Sequence, residues 1–83
     1  MKIEILGPGC TRCKETFRVV QHVVEQAGFD ADVVKEESIE RMMALGLLAT
    51  PGIAVDGKIV VSGRIPKADE VRRLLSEAVS AVR

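Results

Sequence analysis

Cys10 and Cys13 enclose Thr11-Arg12 in a C-x-x-C motif, and they are the only two cysteines in the 83-residue chain. Any thiol chemistry is therefore concentrated at this one place. A structural staple suits the spacing poorly, because so small a ring restricts the unfolded chain by only about 2 kcal/mol, against roughly 3 for a 15-residue loop. A reversible dithiol suits it well: two sulfurs one helical turn apart can approach bonding distance in either redox state with little backbone movement.

The flanking residues give the two sulfurs different expected roles. Cys13 heads an apolar stripe continued by Phe17, Val20, Val24 and Ala27, with Lys14, Arg18, Gln21 and Glu25 on the wet side of the same helix and Gly28 as its stop. Cys10 falls at or before the first turn, where unpaired backbone N–H groups and the helix dipole stabilise a thiolate. Cys10 is thus expected to be the nucleophile. Its larger benefit from a stabilised thiolate is as a leaving group, when Cys13 attacks a mixed disulfide and releases reduced substrate. Arg12 and Lys14 add a modest cationic contribution at an exposed helix end.

Composition narrows the partners. Twelve basic and twelve acidic residues leave no net charge, so neither a nucleic-acid face nor a polybasic membrane surface is expected. Phe17 and Phe29 are the only aromatic residues, which removes stacking platforms for bases. The length and the 47% hydrophobic content fit a single domain over 1–83 that folds without metals or cross-links. The opening Met1-Lys2-Ile3-Glu4-Ile5-Leu6, interrupted by charge and ended by Gly7-Pro8-Gly9, is too short for a signal-peptide apolar region. A cytoplasmic setting is expected, where a lone cysteine pair is more often catalytic or metal-binding than structural.

The elements that must hold the motif read as β-α-β-α-β-β-α. Ile3 and Ile5 alternate with Lys2 and Glu4 in a first strand, and the striped helix follows it. Phe29 to Lys35 form a second strand around Val33 and Val34, with Lys35-Glu36-Glu37 as a solvated turn. Ser38 caps a short helix through Ile39, Met42 and Met43 that ends near Gly46. Ile53-Ala54-Val55, Asp56-Gly57 and Ile59-Val60-Val61 make a hairpin, since Asp-Gly supplies the positive φ angles of a tight turn. Pro66 opens a last helix with Asp69 and Glu70 in its first turn and Val71, Leu74, Leu75, Ala78, Val79 and Val82 on one face.

With C-x-x-C at the first strand-to-helix turn, Thr50-Pro51 before the hairpin and Gly63 between the last strand and last helix, the chain resembles the small thioredoxin/glutaredoxin-like redox proteins over nearly its whole length. The resemblance implies an α/β thioredoxin-like fold, a central four-stranded mixed sheet flanked by helices, and a thiol-disulfide oxidoreductase that reduces protein disulfides. It implies disulfide-containing substrate proteins and a thioredoxin-reductase-type electron donor as partners, with no cofactor and no bound metal. It also implies a cis bond between Thr50 and Pro51 facing the sulfurs, with the Thr50 backbone and Gly63 at the substrate groove. Glu4, six residues before Cys10, matches the family position of a buried carboxyl that relays the proton of the second cysteine, a role requiring a pKa raised by burial. The plain expectation for Glu4 is instead a solvated strand residue, because charged side chains are rarely fully buried.

The motif departs from the family's usual Trp-Cys-Gly-Pro-Cys, and Ser62-Gly63-Arg64-Ile65-Pro66 lacks the Gly-Gly and acidic pair that hold glutathione in glutaredoxins. Two other functions compete. A soft-metal carrier of copper type would also present C-x-x-C after a first strand, but Pro8-Gly9 replaces the Met-Thr of such sites and the chain ends in a helix. A thioredoxin-fold binding module without turnover is the other. His22 lies on a helix flank without ligand-spaced neighbours and reads as a solvated histidine, while Met42 and Met43 read as core and groove filler.

Overall fold

The computed structural model describes residues 1–9 and 11–81. Cys10 and Val82, both assigned a place from the sequence, lie outside the described residues. The elements are β1 (Lys2–Leu6), α1 (Thr11–Ala27), β2 (Asp32–Glu36), α2 (Ile39–Leu45), β3 (Gly52–Val55), β4 (Lys58–Ser62) and α3 (Ala68–Ala81). Their order agrees with the sequence reading. The sheet is mixed, in order β2-β1-β3-β4, with β1 parallel to β2 and antiparallel to β3.

Alternation along β1 assigns the two faces of the sheet. Ile3 and Ile5 join Val20, Val23 and Val24 of α1, Val71 and Leu75 of α3, and Ile53 and Val55 of β3 in one apolar core. Leu6 points the other way and packs with Met42 of α2 and Ala54 of β3. Between β3 and β4 the register skips from Ile53↔Val61 to Ala54↔Ile59, a bulge at Val60. Its result is that Val60 and Val61 both contribute to the α1/α3 core, while Ile59 packs on the α2 side.

Local chemistry accounts for most element ends. The Ser38 hydroxyl accepts a hydrogen bond from the Arg41 N–H at 3.3 Å, and Gly46 closes α2 in the left-handed conformation at φ 81°. The Leu47 N–H donates to the Met42 carbonyl at 2.9 Å, completing that cap. Asp56 and Gly57 both adopt positive φ in the β3–β4 turn, as the Asp-Gly signal requires. Asp56 also ties that turn to β1, since its carboxylate accepts from the Lys2 N–H at 2.8 Å.

Three expectations need correction. The buried side of α1 is Cys13, Thr16, Val20, Val23 and Val24, with Phe17 half-buried and Ala27 exposed; α3 and the sheet press on α1 from two directions, which rotates the buried stripe. β2 runs Asp32–Glu36, so it begins later than the expected Phe29 and carries Glu36, read as part of a solvated turn, into the sheet through the pair Leu6↔Glu36. Pro66 is buried but precedes α3, which begins at Ala68.

Candidate functional site

The described partner of the C-x-x-C motif, Cys13, sits in the first turn of α1 and is only 6% exposed. Its sulfur lies against Gly7, just beyond β1: a methyl group built on Gly7 would fall 2.1 Å from Cys13 Sγ and 4.0 Å from Thr50 Cβ. Gly7, Cys13 and Thr50 therefore meet at one end of the sheet. The Thr50-Pro51 peptide bond is cis, and Pro51 is buried beside β3.

The third part of the site is the turn after β4. The Gly63 N–H donates to the Pro51 carbonyl at 2.8 Å, and Arg12 Nη2 donates to the Gly63 carbonyl at 3.4 Å. Gly63 has a φ of 76°, and a methyl group there would lie 3.0 Å from Ala49 Cβ, so the turn requires glycine on two grounds. Arg12, inside the motif, thus bridges to the same turn that holds the cis-proline loop.

Electrostatics at the start of α1 are one-sided. The first turn of the helix carries no acidic residue, and Arg12 and Lys14 stand there, leaving the positive end of the helix dipole uncompensated on its own element. A cavity of about 300 Å³ opens beside Cys13, lined by Ile5, Gly7, Pro8, Lys14, Lys35 and Glu37 among others. Lys35 lies 4.9 Å from the centre of the Phe17 ring, a cation–π distance. Lys35 and Glu37, expected as part of a solvated turn, thereby border the second cysteine. No local pattern could have indicated this, because the parallel pairing of β2 with β1 brings them there.

Glu4 is buried, as the relay reading requires, but meets neither sequence expectation in full. It is 1% exposed, not a solvated strand residue. Its carboxylate accepts two hydrogen bonds from Arg41, from Nη2 at 2.9 Å and Nε at 3.1 Å, a bidentate charge-assisted pair. These bonds hold the Glu4 carboxyl below its usual range and outweigh the opposing effect of burial. The raised pKa needed for a proton relay is therefore not found. Alternation along β1 also places Glu4 on the Leu6 side of the sheet, toward α2, whereas Gly7 continues the Ile3 and Ile5 side that meets Cys13.

Next to Thr50, α2 and its following loop present apolar side chains to solvent. Ile39 is 66% exposed, Met43 72% and Leu48 96%, and they border a groove of about 360 Å³ that also includes Pro8 and Thr50. Met42, by contrast, is core.

A buried cysteine at the head of the first helix, Thr50-Pro51 beside it and a β-α-β-α-β-β-α mixed sheet are the parts of a thioredoxin-like fold, and its relatives mark the chain as a thiol-disulfide oxidoreductase in general terms. The chain belongs to the thioredoxin domain family, whose model matches residues 1–76. It is 36% identical over 76 residues to a thioredoxin of Methanothermobacter thermautotrophicus, covering 92% of this chain and 99% of that protein. It is 38% identical over 73 residues to a thioredoxin of Methanocaldococcus jannaschii, covering 88% and 84% respectively. Among the described residues, no helix is long and apolar enough to cross a membrane.

Proposed function

We propose that this single-domain protein reduces disulfides of other proteins by cycling Cys10 and Cys13 between dithiol and disulfide. The Cys10 thiolate attacks one sulfur of the substrate disulfide, forming a mixed disulfide and releasing the first substrate thiolate. Cys13 gives up its proton to water and attacks the Cys10 sulfur; the mixed disulfide breaks, the Cys10–Cys13 bond forms, and the second substrate thiolate leaves and takes up a proton from solvent. Substrate gains two electrons and the motif loses two. A thioredoxin-reductase-type donor returns them, in a cytoplasmic setting that keeps the pair reduced.

The observation that carries this reading is the burial of Cys13 at the head of α1, against Gly7 and beside Thr50. A shielded second sulfur cannot easily be the entry point for a protein substrate, which leaves attack to Cys10 and resolution to Cys13. The Thr50 backbone, Pro51 and the Gly63 turn form the groove that receives an extended substrate segment. The exposed Ile39, Met43 and Leu48 extend that groove with apolar surface suited to a polypeptide. Glu4, ionised and committed to Arg41, takes no proton in this scheme.

Limiting iodoacetamide followed by peptide mapping is expected to label Cys10 ahead of Cys13 in the reduced protein. Cys13→Ser should trap mixed disulfides with substrate proteins through Cys10, and Cys10→Ser should trap few. Preferential labelling of Cys13 would reverse the roles, and failure of both variants to capture any disulfide-containing protein would rule out exchange chemistry.

A further inference from the structure

We infer that Gly7 is a positioning residue for disulfide exchange: the missing side chain at Gly7 fixes where the Cys13 sulfur lies and thereby sets the rate of the second, resolving step. The inference rests on the dithiol reading above.

Five of the described glycines, at 9, 28, 46, 57 and 63, have positive φ, a conformation that favours glycine whatever the space around it. Gly7 is not among them. It precedes Pro8, a setting that favours extended backbone open to any residue, and its N–H extends the parallel ladder by donating to the Glu36 carbonyl at 3.0 Å. What excludes a side chain is the sulfur, 2.1 Å from a Gly7 methyl, with Cys13 Cβ a further 3.1 Å contact. Unbonded heavy atoms settle at about 3.5–4.0 Å, so alanine at this position moves the sulfur by roughly an ångström or more.

Rotation of the side chain can take up part of that movement. A cysteine side chain has one torsion with three staggered wells, and the cavity of about 300 Å³ beside Cys13 offers room for a second rotamer. The cost then falls on reactivity, because attack on a mixed disulfide requires the sulfur in line with the bond it breaks, and a misplacement near 1 Å can cost on the order of 100-fold.

The test is Gly7→Ala in the full chain, reacted with a symmetrical nitrobenzoate disulfide whose released thiolate absorbs visible light. Cys10 attack releases the first thiolate and Cys13 resolution the second. The first phase is expected to stay within about twofold of wild type and the second to slow about tenfold or more. Two phases equal to wild type would overturn the inference.

A stability cycle provides a second readout independent of turnover. Gly7→Ala should lower thermal stability in the wild-type background and do so much less in Cys13→Ala, where the sulfur is gone. An equal cost in both backgrounds would show that Gly7 serves the backbone and not the sulfur. If Gly7→Ala alone does not fold, the double variant is expected to fold, and its failure would also overturn the inference. Wild-type protein that releases no second thiolate would sink the dithiol reading instead, leaving this cycle to judge Gly7.

Discussion

On the α1/α3 side of the sheet, Ile3, Ile5, Ile53 and Val55 meet Val20, Val24, Val71 and Leu75 with almost no exposure. On the α2 side, the buried cluster is Leu6, Met42 and Ala54, supplemented by the Glu4–Arg41 ion pair and bordered by exposed Ile39, Met43 and Leu48. The first side is a two-helix apolar core. The second holds a seven-residue helix with a smaller apolar cluster and a two-bond pair between Arg41 and Glu4. Apolar burial is insensitive to pH and broadly tolerant of direction, whereas a bidentate carboxylate–guanidinium pair fixes one helix orientation and depends on ionisation. The short helix that leads into Thr50-Pro51 is therefore set by charge more than by area.

The comparison is broken most strongly from the apolar side. Leu75→Ala, at 1% exposure, should lower stability by about 3 kcal/mol, read by denaturant unfolding, with the midpoint falling by roughly 15 °C on heating. A loss below about 1 kcal/mol would mean that the two sides contribute alike.

Arg41→Met tests the charged side by leaving the buried Glu4 carboxylate without its guanidinium. Burial then dominates and raises the carboxyl pKa, so the unfolded state holds fewer protons than the folded state near neutrality, and stability should increase as pH falls from 7 toward 5. The wild type should show no such gain. Melting temperatures across that range decide it, and matching profiles would remove Arg41 from the account.

Glu4→Gln, which leaves only the half-exposed Arg41 without its counter-ion, should cost about 2 kcal/mol at pH 7 through loss of the charge-assisted bonds. The folded Glu4 carboxyl is held below its usual value, so its contribution is complete above the unfolded value of about 4.3 and is lost as pH falls through the folded one. The variant should accordingly lack part of the acid destabilisation seen in wild type below about pH 5. An identical acid limb would show that the pair is not coupled to folding.

The smallest stability effect is expected at the exposed edge of the same side. Met43→Ser should change stability by no more than about 0.5 kcal/mol, yet raise KM for a protein disulfide several-fold without altering rates on a small aromatic disulfide. Equal effects on both substrates would separate this surface from substrate binding.

Features encoded by neighbouring residues were legible in the sequence. The Ser38 and Gly46 caps, the Asp56-Gly57 turn and the helix carrying Cys13 each need only a few adjacent positions, and each stands where the sequence predicts. Features that depend on distant partners were not. Glu4 reads as a solvated glutamate because nothing near it announces Arg41, 37 positions away on another element. Gly7 reads as a strand terminator because its sulfur contact arises only when α1 packs on the sheet. The bulge at Val60 is hidden for the same reason: alternation in β4 alone gives no sign that its register with β3 will slip.

The sheet order β2-β1-β3-β4 bears on how the chain leaves the ribosome. β1 is the earliest of these strands to be synthesised, yet it is interior, paired to β2 from Lys2↔Asp32 and to β3 from Ile3↔Val55. A nascent chain exposing only β1, α1 and β2 has one edge of its central strand uncovered, and Leu6 lacks Ala54 on the sheet. Native closure waits until the β3–β4 hairpin has emerged, after more than half of the chain has been translated. Because those pairings join distant positions, loop closure precedes much of their reward. In the interval, a strand that is interior in the finished sheet has one edge open to pairing with other chains.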